Sequence, residues 1–235
     1  MRVYVLVGGA PRKGFEHKRG LSIGVEYKGL YIVFDAGPDA YVIANNAGLS
    51  GFPLDLVDHV VVSHAHSPHV GGLEAIGWEA PFAKVYLPYA SMEALGRQAQ
   101  RWQLSPVEVV KETRVVDGVV VSRPFHGPPW EHFMLVELEG GRGEYALFTG
   151  CFHPGVREVL ADISTRYRVT TVIGGFHLEA APPETVRRFA EDIALRLRAE
   201  RVYPLHCSGG LVGELLSERF KLDVRYLRTG DVVDL

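Results

Sequence analysis

The stretch VVVSHAHSPHVGGL, residues 60–73, carries three histidines between an apolar run and a pair of glycines. The apolar run is typical of a buried strand, and the glycine pair stands where a helical pattern begins. In extended backbone His64 and His66 point to the same side, and His69 follows after a turn at Pro68. Neutral imidazoles at this spacing suit zinc, iron or a similar borderline metal, so the stretch predicts a metal-binding strand end.

The composition is that of an ordinary globular protein. Hydrophobic residues make up 47% and charged residues 23% of the 235 residues. This length fits one large core, and we expect a single α/β domain over residues 1–235. Arginine outnumbers lysine 19 to 6, a bias typical of heat-adapted proteins and of GC-rich genomes alike, so it indicates no function.

Charge and hydropathy exclude two classes of partner. The net charge of −3 provides no basic footprint for nucleic acid. No apolar run approaches the roughly 18 residues needed to span a membrane. The short run Val3–Val7 predicts a strand rather than a signal peptide. We therefore expect a cytoplasmic protein whose partner is a small-molecule substrate.

The chain divides into two β-rich halves that each carry helical segments. In the first half the patterns predict a hairpin over residues 21–34 and a helix that Asp39 caps and Gly48 ends. In the second half strands alternate with amphipathic helices, most clearly over residues 155–167 and 182–200. The packing that covers the apolar faces is two mixed sheets face to face with helices outside, a four-layer αββα sandwich.

Histidines recur where the predicted strands end. The segments SHAH, TGCFH, GGFH and PLHC each follow an apolar run. Because strand ends at one edge of a sheet lie close together, we expect these histidines to form one site. The two cysteines, Cys151 and Cys207, lie in two of the segments, and in a reducing compartment they predict no disulfide. Cys207 is interpreted as a small buried residue near a strand end.

Several motifs resemble one superfamily. SHAHSPHVGGL resembles the signature His-x-His-x-Asp-His-x-Gly-Gly of the metallo-β-lactamase-fold hydrolases, and YIVFDAG is similar to the strand before it. LFTGCFHPGV, VIGGFHL and YPLHCSG together resemble the branch of 7,8-dihydropterin-6-methyl-4-(β-D-ribofuranosyl)-aminobenzene-5′-phosphate synthase. The match spans nearly the whole chain in the right order. It implies the αββα sandwich and a centre of one or two metal ions at the shared edge of the sheets.

The resemblance assigns metal ligands through the motifs that contain them. It implies that His64 and His66 hold a first ion and that His69 and His206 hold a second. In the superfamily the Asp that follows the YIVF-type strand supports the ligands. This chain has Asp35 there, which would orient a ligand without binding the metal itself.

Two positions leave alternatives open. The superfamily's bridging Asp is replaced by Cys151, with His153 two residues later; His153 is the preferred metal ligand, and Cys151 is an alternative ligand as a thiolate. Three roles are open for His177: a metal ligand, a substrate contact, or a histidine hydrogen-bonded at a sheet edge. If the centre is catalytic, His177 and Cys151 are the expected catalytic residues. His126 is a candidate for the position of the superfamily's middle histidine ligand, but the prolines beside it favour a loop without that role.

Pro68 departs from the signature. It occupies the position of the Asp that ligates the second metal and can take a proton in the reaction. Proline offers no donor atom, but it biases Ser67 toward extended backbone and can preserve the shape of the loop. The substitution predicts a weakened second metal site and an intact first one.

The residues together predict a metal-dependent hydrolase that uses a metal-activated hydroxide on a small phosphorylated or pterin-like substrate. The expected cofactor is zinc, as one or two divalent ions, with iron or manganese as alternatives. One alternative function is a synthase in pterin or methanopterin-type cofactor metabolism, which the branch name suggests. A second is a non-catalytic metal-binding relative, which Pro68 suggests and the retained histidines oppose.

A basic loop precedes the first hairpin. Residues 8–20 contain Arg12, Lys13, Lys18 and Arg19. These side chains predict either a receptor for an anionic group of the substrate or a solvated surface loop.

Overall fold

Runs of β-branched and aromatic residues form two sheets in the computed structural model, which describes residues 1–140 and 143–235. Within these residues each sheet has seven strands. In chain order, the strands of the first sheet are β1 (Arg2–Val7), β2 (Ser22–Tyr27), β3 (Leu30–Phe34), β4 (Val57–Val61), β5 (Lys84–Pro88), β6 (Ser105–Val109) and β14 (Val232–Asp234). Those of the second are β7 (Thr113–Val116), β8 (Val119–Val121), β9 (Met134–Glu137), β10 (Glu144–Thr149), β11 (Arg168–Gly174), β12 (Arg201–Pro204) and β13 (Asp223–Val224).

Each sheet is antiparallel on one side and parallel on the other. The spatial orders are β14-β1-β2-β3-β4-β5-β6 and β13-β12-β11-β10-β9-β8-β7. Strands β3 to β6 pair in parallel in the first sheet, and β10 to β13 do so in the second. The carboxyl ends of parallel neighbours meet at one edge of a sheet, where α/β proteins commonly place their sites. The predicted strand-end motifs follow β4, β10, β11 and β12.

Helices cover the outer face of each sheet. In chain order they are α1 (Ala40–Ser50), α2 (Ser67–Val70), α3 (Leu73–Glu79), α4 (Arg97–Arg101), α5 (Val156–Ile163), α6 (Pro183–Glu191) and α7 (Leu211–Glu214). Wider helical turns precede α4 and continue α6 and α7, at Met92–Gly96, Asp192–Leu197 and Leu215–Arg219, and a 3-10 turn at Leu54–Leu56 precedes β4. Among the described residues, no helix is long and apolar enough to cross a membrane.

Three apolar layers hold the sheets and helices together. Between the sheets, Phe34 of β3 packs against Phe148 of β10 with ring centroids 5.9 Å apart. A second layer lies between the first sheet and helices α1 and α3, and a third between the second sheet and helices α5 and α6. Sheets flanked by helices on both outer sides form the αββα sandwich that the sequence patterns predict.

The first helix begins as predicted and ends later than predicted. The side chain of Asp39 caps it by accepting a hydrogen bond from the Val42 amide at 2.9 Å. The helix passes through Gly48 and ends at Gly51, whose φ of +73° provides the left-handed residue that a helix end requires. The expected end before Gly48 was therefore wrong, because a glycine also adopts ordinary helical backbone.

The glycine pair after the histidine motif packs directly against the loop that follows β3. A Cβ atom on Gly71 would lie 2.0 Å from the Pro38 carbonyl oxygen, and one on Gly72 would lie 2.2 Å from that of Ala36. The backbone contact continues where the Ala36 amide donates to the His69 carbonyl at 2.7 Å. Only glycine permits this approach, so the pair positions the turn that carries His69.

Gly71→Ala should lower the free energy of unfolding by about 1–3 kcal/mol, because its methyl group would overlap the Pro38 carbonyl. Gly48→Ala is the matched control, since no atom lies within 4 Å of a Cβ placed there. It should raise the same free energy by up to about 1 kcal/mol through helix propensity. Urea unfolding of both variants measures the difference, and equal stability of the two would contradict the close packing.

Candidate metal centre

The six predicted histidines form one continuous cluster at the shared edge of the sheets. The ring of His64 lies at its middle, with centroid distances of 4.8 Å to His66, 4.1 Å to His69 and 4.7 Å to His153. The cluster continues from His153 to His177 at 4.9 Å and from His69 to His206 at 5.1 Å. Strand ends from both sheets thus supply imidazoles to one place.

Cys151 is common to every set of candidate donor atoms among the described residues. In the described part of the chain, three sets of residues have donor atoms within 4.8 Å of one another, and Cys151 belongs to all of them. The sets are His64–Cys151–His153, His69–Cys151–His206 and Cys151–His177–Cys207. Both residues between which the sequence left a choice, Cys151 and His153, thus lie beside His64. His66 is outside these sets, although its ring lies 5.0 Å from that of His153.

Asp35 connects the ends of β3 and β4. Its carboxylate is fully buried and accepts hydrogen bonds from the Ser63 amide at 2.7 Å, the Ser63 hydroxyl at 2.8 Å and His69 Nδ1 at 2.6 Å. Since Nδ1 donates to Asp35, Nε2 of His69 is left to face Cys151 Sγ at 3.6 Å. Burial lowers the pKa of His69, but the charge of Asp35 outweighs it and the net pKa is raised. Asp35 therefore fixes the orientation of the His69 ring.

The hydroxyl of Ser63 extends this network to the next histidine. This hydroxyl donates its hydrogen to Asp35 and lies 2.9 Å from His64 Nδ1. Because its hydrogen is already used, the hydroxyl oxygen accepts a hydrogen bond from His64 Nδ1. His64 Nε2 is left unprotonated and lies 3.3 Å from His153 Nε2. Burial, followed by the neighbouring histidines, lowers the pKa of His64 well below its usual range. The ring is therefore neutral, the form that binds metals.

Glu131, which the sequence did not single out, holds the turn after β10. Its buried carboxylate accepts the amides of Cys151 at 2.7 Å, Phe152 at 3.0 Å and His153 at 2.7 Å. Burial raises the pKa of Glu131 to about 7, although these hydrogen bonds oppose the shift. An acid inside the aromatic run PWEHF was the available signal, because an acid is rarely buried unless it has partners.

Cys207 was interpreted as a small buried residue, and it is also a neighbour of the candidate donors. Its Sγ lies 3.4 Å from Cys151 Sγ and accepts a hydrogen bond from the His177 amide at 3.1 Å. Hydrogen bonding from Cys151 lowers the pKa of Cys207 to about 6, and the same contact raises the pKa of Cys151. The position of Cys207 directly after His206 was the only signal in the sequence.

The strand ends turn sharply through residues other than glycine. Asp35, Phe152, His177 and His206 have φ values of +57°, +59°, +54° and +52°. Left-handed backbone at such residues stores strain and is concentrated at functional sites. Each turn redirects the chain shortly after β3, β10, β11 or β12. The turns therefore place the side chains that follow these strands at the shared edge of the sheets.

The remaining candidate residues lie outside the cluster or at its mouth. His126 packs edge-on against Trp130 at 4.8 Å and belongs to none of the three donor sets. In the basic loop, Arg12 pairs with Asp231, Lys18 pairs with Asp39, and Arg19 pairs with Glu179. Arg19 also lines a cavity of about 240 Å³ with His177 and Cys207, so it is the basic side chain of that loop that faces the centre.

Replacing bound metal with cobalt(II) should produce thiolate-to-metal charge-transfer absorption in the near ultraviolet, because Cys151 belongs to every donor set. Cys151→Ser should abolish this absorption. The matched variant Cys207→Ser should retain it, since Cys207 belongs to one set only. Optical spectra of the loaded proteins provide the measurement, with circular dichroism to verify folding. An unchanged band in folded Cys151→Ser would exclude this cysteine as a ligand.

Comparison of the sequence and of the structure with known proteins points to the same family and fold. The profile of the Metallo-beta-lactamase superfamily matches residues 19–206. The 7,8-dihydropterin-6-methyl-4-(beta-D-ribofuranosyl)-aminobenzene-5'-phosphate synthase of Methanocaldococcus jannaschii is 26% identical over 267 residues, covering 93% of this chain and 90% of that protein. The uncharacterized protein MJ0448 of the same organism is 23% identical over 239 residues, covering 88% of this chain and 90% of that protein. The solved structure of Tm1679, a metal-dependent hydrolase of the beta-lactamase superfamily, superposes with a TM-score of 0.81 at 22% identity, covering 100% and 99% of the two chains.

Proposed function

Because the chain belongs to the metallo-β-lactamase superfamily, we propose that it is a metal-dependent hydrolase of a small phosphorylated or pterin-like molecule. The observation that carries this proposal is the convergence of six histidines and Cys151 at one edge of the two sheets. A fold of this kind hosts many chemistries, so the donor set must supply the argument.

The donor atoms fit a divalent metal of intermediate softness. Burial lowers the pKa of His153 to about 4 and that of His206 to about 3, with neighbouring histidines adding to both shifts, so both rings are neutral donors at pH 7. Asp35 and Glu131 are already engaged with amides, a hydroxyl and an imidazole. Nitrogen and sulfur donors without free carboxylates suit zinc better than manganese, with iron as an alternative.

Each residue of the cluster has a proposed task. His64, His66 and His153 would hold one ion, and His69 and His206 a second, with Cys151 between them. A bound ion would supply an activated water and would polarise the oxygen of the group under attack. His177 is exposed at the mouth of the cluster, where it can move a proton between solvent and substrate. Arg19 can pair with an anionic group of the substrate, since it lines the same cavity.

Removing bound metal with a chelator should reduce hydrolysis of bis(4-nitrophenyl) phosphate to the rate in buffer, and zinc should restore it. His64→Ala should prevent the restoration, because His64 lies at the middle of the cluster. His17→Ala is the matched control, since His17 is exposed on the basic loop. Release of 4-nitrophenolate measures each rate, and turnover that survives complete metal removal would refute the proposal.

Pro68 should limit the number of bound ions. We expect about one tightly bound ion per chain, because the second site lacks the oxygen donor of the signature. Pro68→Asp should raise the stoichiometry toward two. Pro81→Asp is the control, since this exposed proline precedes β5 at the opposite edge of the sheet. Elemental analysis after dialysis measures the ions, and two ions in the unmodified chain would overturn this role of Pro68.

A second candidate function is a synthase reaction in pterin metabolism. The relative that is named as such a synthase supports it, through 26% identity over most of both chains. Product analysis with a dihydropterin diphosphate distinguishes the two reactions, because condensation produces a coupled product and hydrolysis does not. Absence of metal and of both activities would favour the non-catalytic alternative.

A further inference from the structure

We propose that a pocket beside the metal centre binds a planar aromatic group of an anionic substrate. This inference rests on the proposed hydrolase function. The pocket, here called the phenylalanine pocket, has a volume of about 440 Å³ and a floor of Phe152, Phe176 and Phe189. Ligand sites typically measure about 300–1,000 Å³ and have mostly apolar walls.

The floor of the phenylalanine pocket is preformed. The ring of Phe189 lies 5.4 Å from that of Phe152 and 5.0 Å from that of Phe176. All three side chains belong to the apolar layer under α5 and α6 and are almost fully buried. Their edges and faces therefore present a fixed aromatic surface, and aromatic groups gain stabilisation from such surfaces beyond the area that they bury.

The pocket opens directly onto the candidate metal ligands. His153 and His177 are part of its lining, and both belong to the donor sets. Phe152 stands between Cys151 and His153 in a left-handed turn, which allows its ring to reach the floor while its neighbours reach the cluster. A group that fills the pocket would therefore hold the rest of the substrate beside the metal centre.

The lining of the pocket also contains two arginines. These are Arg157 and Arg188, and both are exposed. Arg157 shares the carboxylate of Asp192 with a second arginine, Arg196, at 2.8 and 2.7 Å. Arg188 likewise shares Glu184 with a further arginine. Two arginines, Arg157 and Arg188, and one carboxylate, Asp192, line the pocket, so its lining keeps net positive charge and favours an anionic occupant.

The test compares two stable phosphonates that share the anionic group, 2-naphthylphosphonate and methylphosphonate. Calorimetry with the metal-loaded protein should show at least about tenfold tighter binding of the naphthyl compound. Thr185 lines the pocket from an exposed position on α6, so Thr185→Trp should fill the space. This variant should weaken naphthyl binding about tenfold and change methyl binding by less than about twofold.

Leu195→Trp is the matched control, because Leu195 is also exposed but lies outside the phenylalanine pocket. It should change neither affinity. Equal affinities of the two phosphonates, or an unaffected naphthyl affinity in folded Thr185→Trp, would overturn the inference. Metal-dependent hydrolysis without aromatic preference would refute the pocket alone. Aromatic binding without hydrolysis under any metal would refute the hydrolase function and support the pocket.

Discussion

The buried carboxylate of Asp35 holds together the ends of two neighbouring strands and the first turn of α2. It accepts both polar hydrogens of Ser63 and the Nδ1 hydrogen of His69, so each carboxylate oxygen has at least one donor. A buried charge that lost these partners would be strongly destabilising, which keeps the arrangement rigid. Through Ser63 the same charge sets the orientation of His64, and His64 is the ring around which the other imidazoles gather.

In the second sheet, the buried carboxylate of Glu131 holds the end of a strand in a similar way. This side chain gathers three successive amides and thereby bends the chain after β10. Each sheet thus uses one buried carboxylate to shape a strand end that carries candidate donors. Asp35 does so in the first sheet, and Glu131 does so after β10 in the second. The carboxylate oxygens of Asp35 and Glu131 position the chain by hydrogen bonding. The imidazole nitrogens and the thiol sulfurs remain as candidate metal-binding atoms. Pro68 agrees with this division, since proline has no side-chain donor atom at the position where the signature has an Asp.

The sequence was sufficient for the sandwich and for the histidine cluster, because both follow from local patterns. Apolar runs define strands, and parallel strands place their ends together, so SHAH, TGCFH, GGFH and PLHC were predicted to meet. The roles of Glu131 and Cys207 depend instead on contacts between segments far apart in the chain. The Cys207 thiol meets its partner thiol across a sequence separation of 56 residues, which no local pattern encodes. The late end of α1 was missed because a glycine allows a helix to end and also to continue.

The shared thiol of Cys151 has a consequence for proton release. Metal ions bind the deprotonated thiolate, so an ion bound in any of the three donor sets would displace the proton of Cys151. A first ion would therefore carry that pH dependence, and a later ion would meet a thiolate that is already formed. Occupancy of the sets would be coupled by thermodynamic linkage, although the ions would lie in different sets. The affinity of the first ion should accordingly vary more steeply with pH than that of any ion that follows.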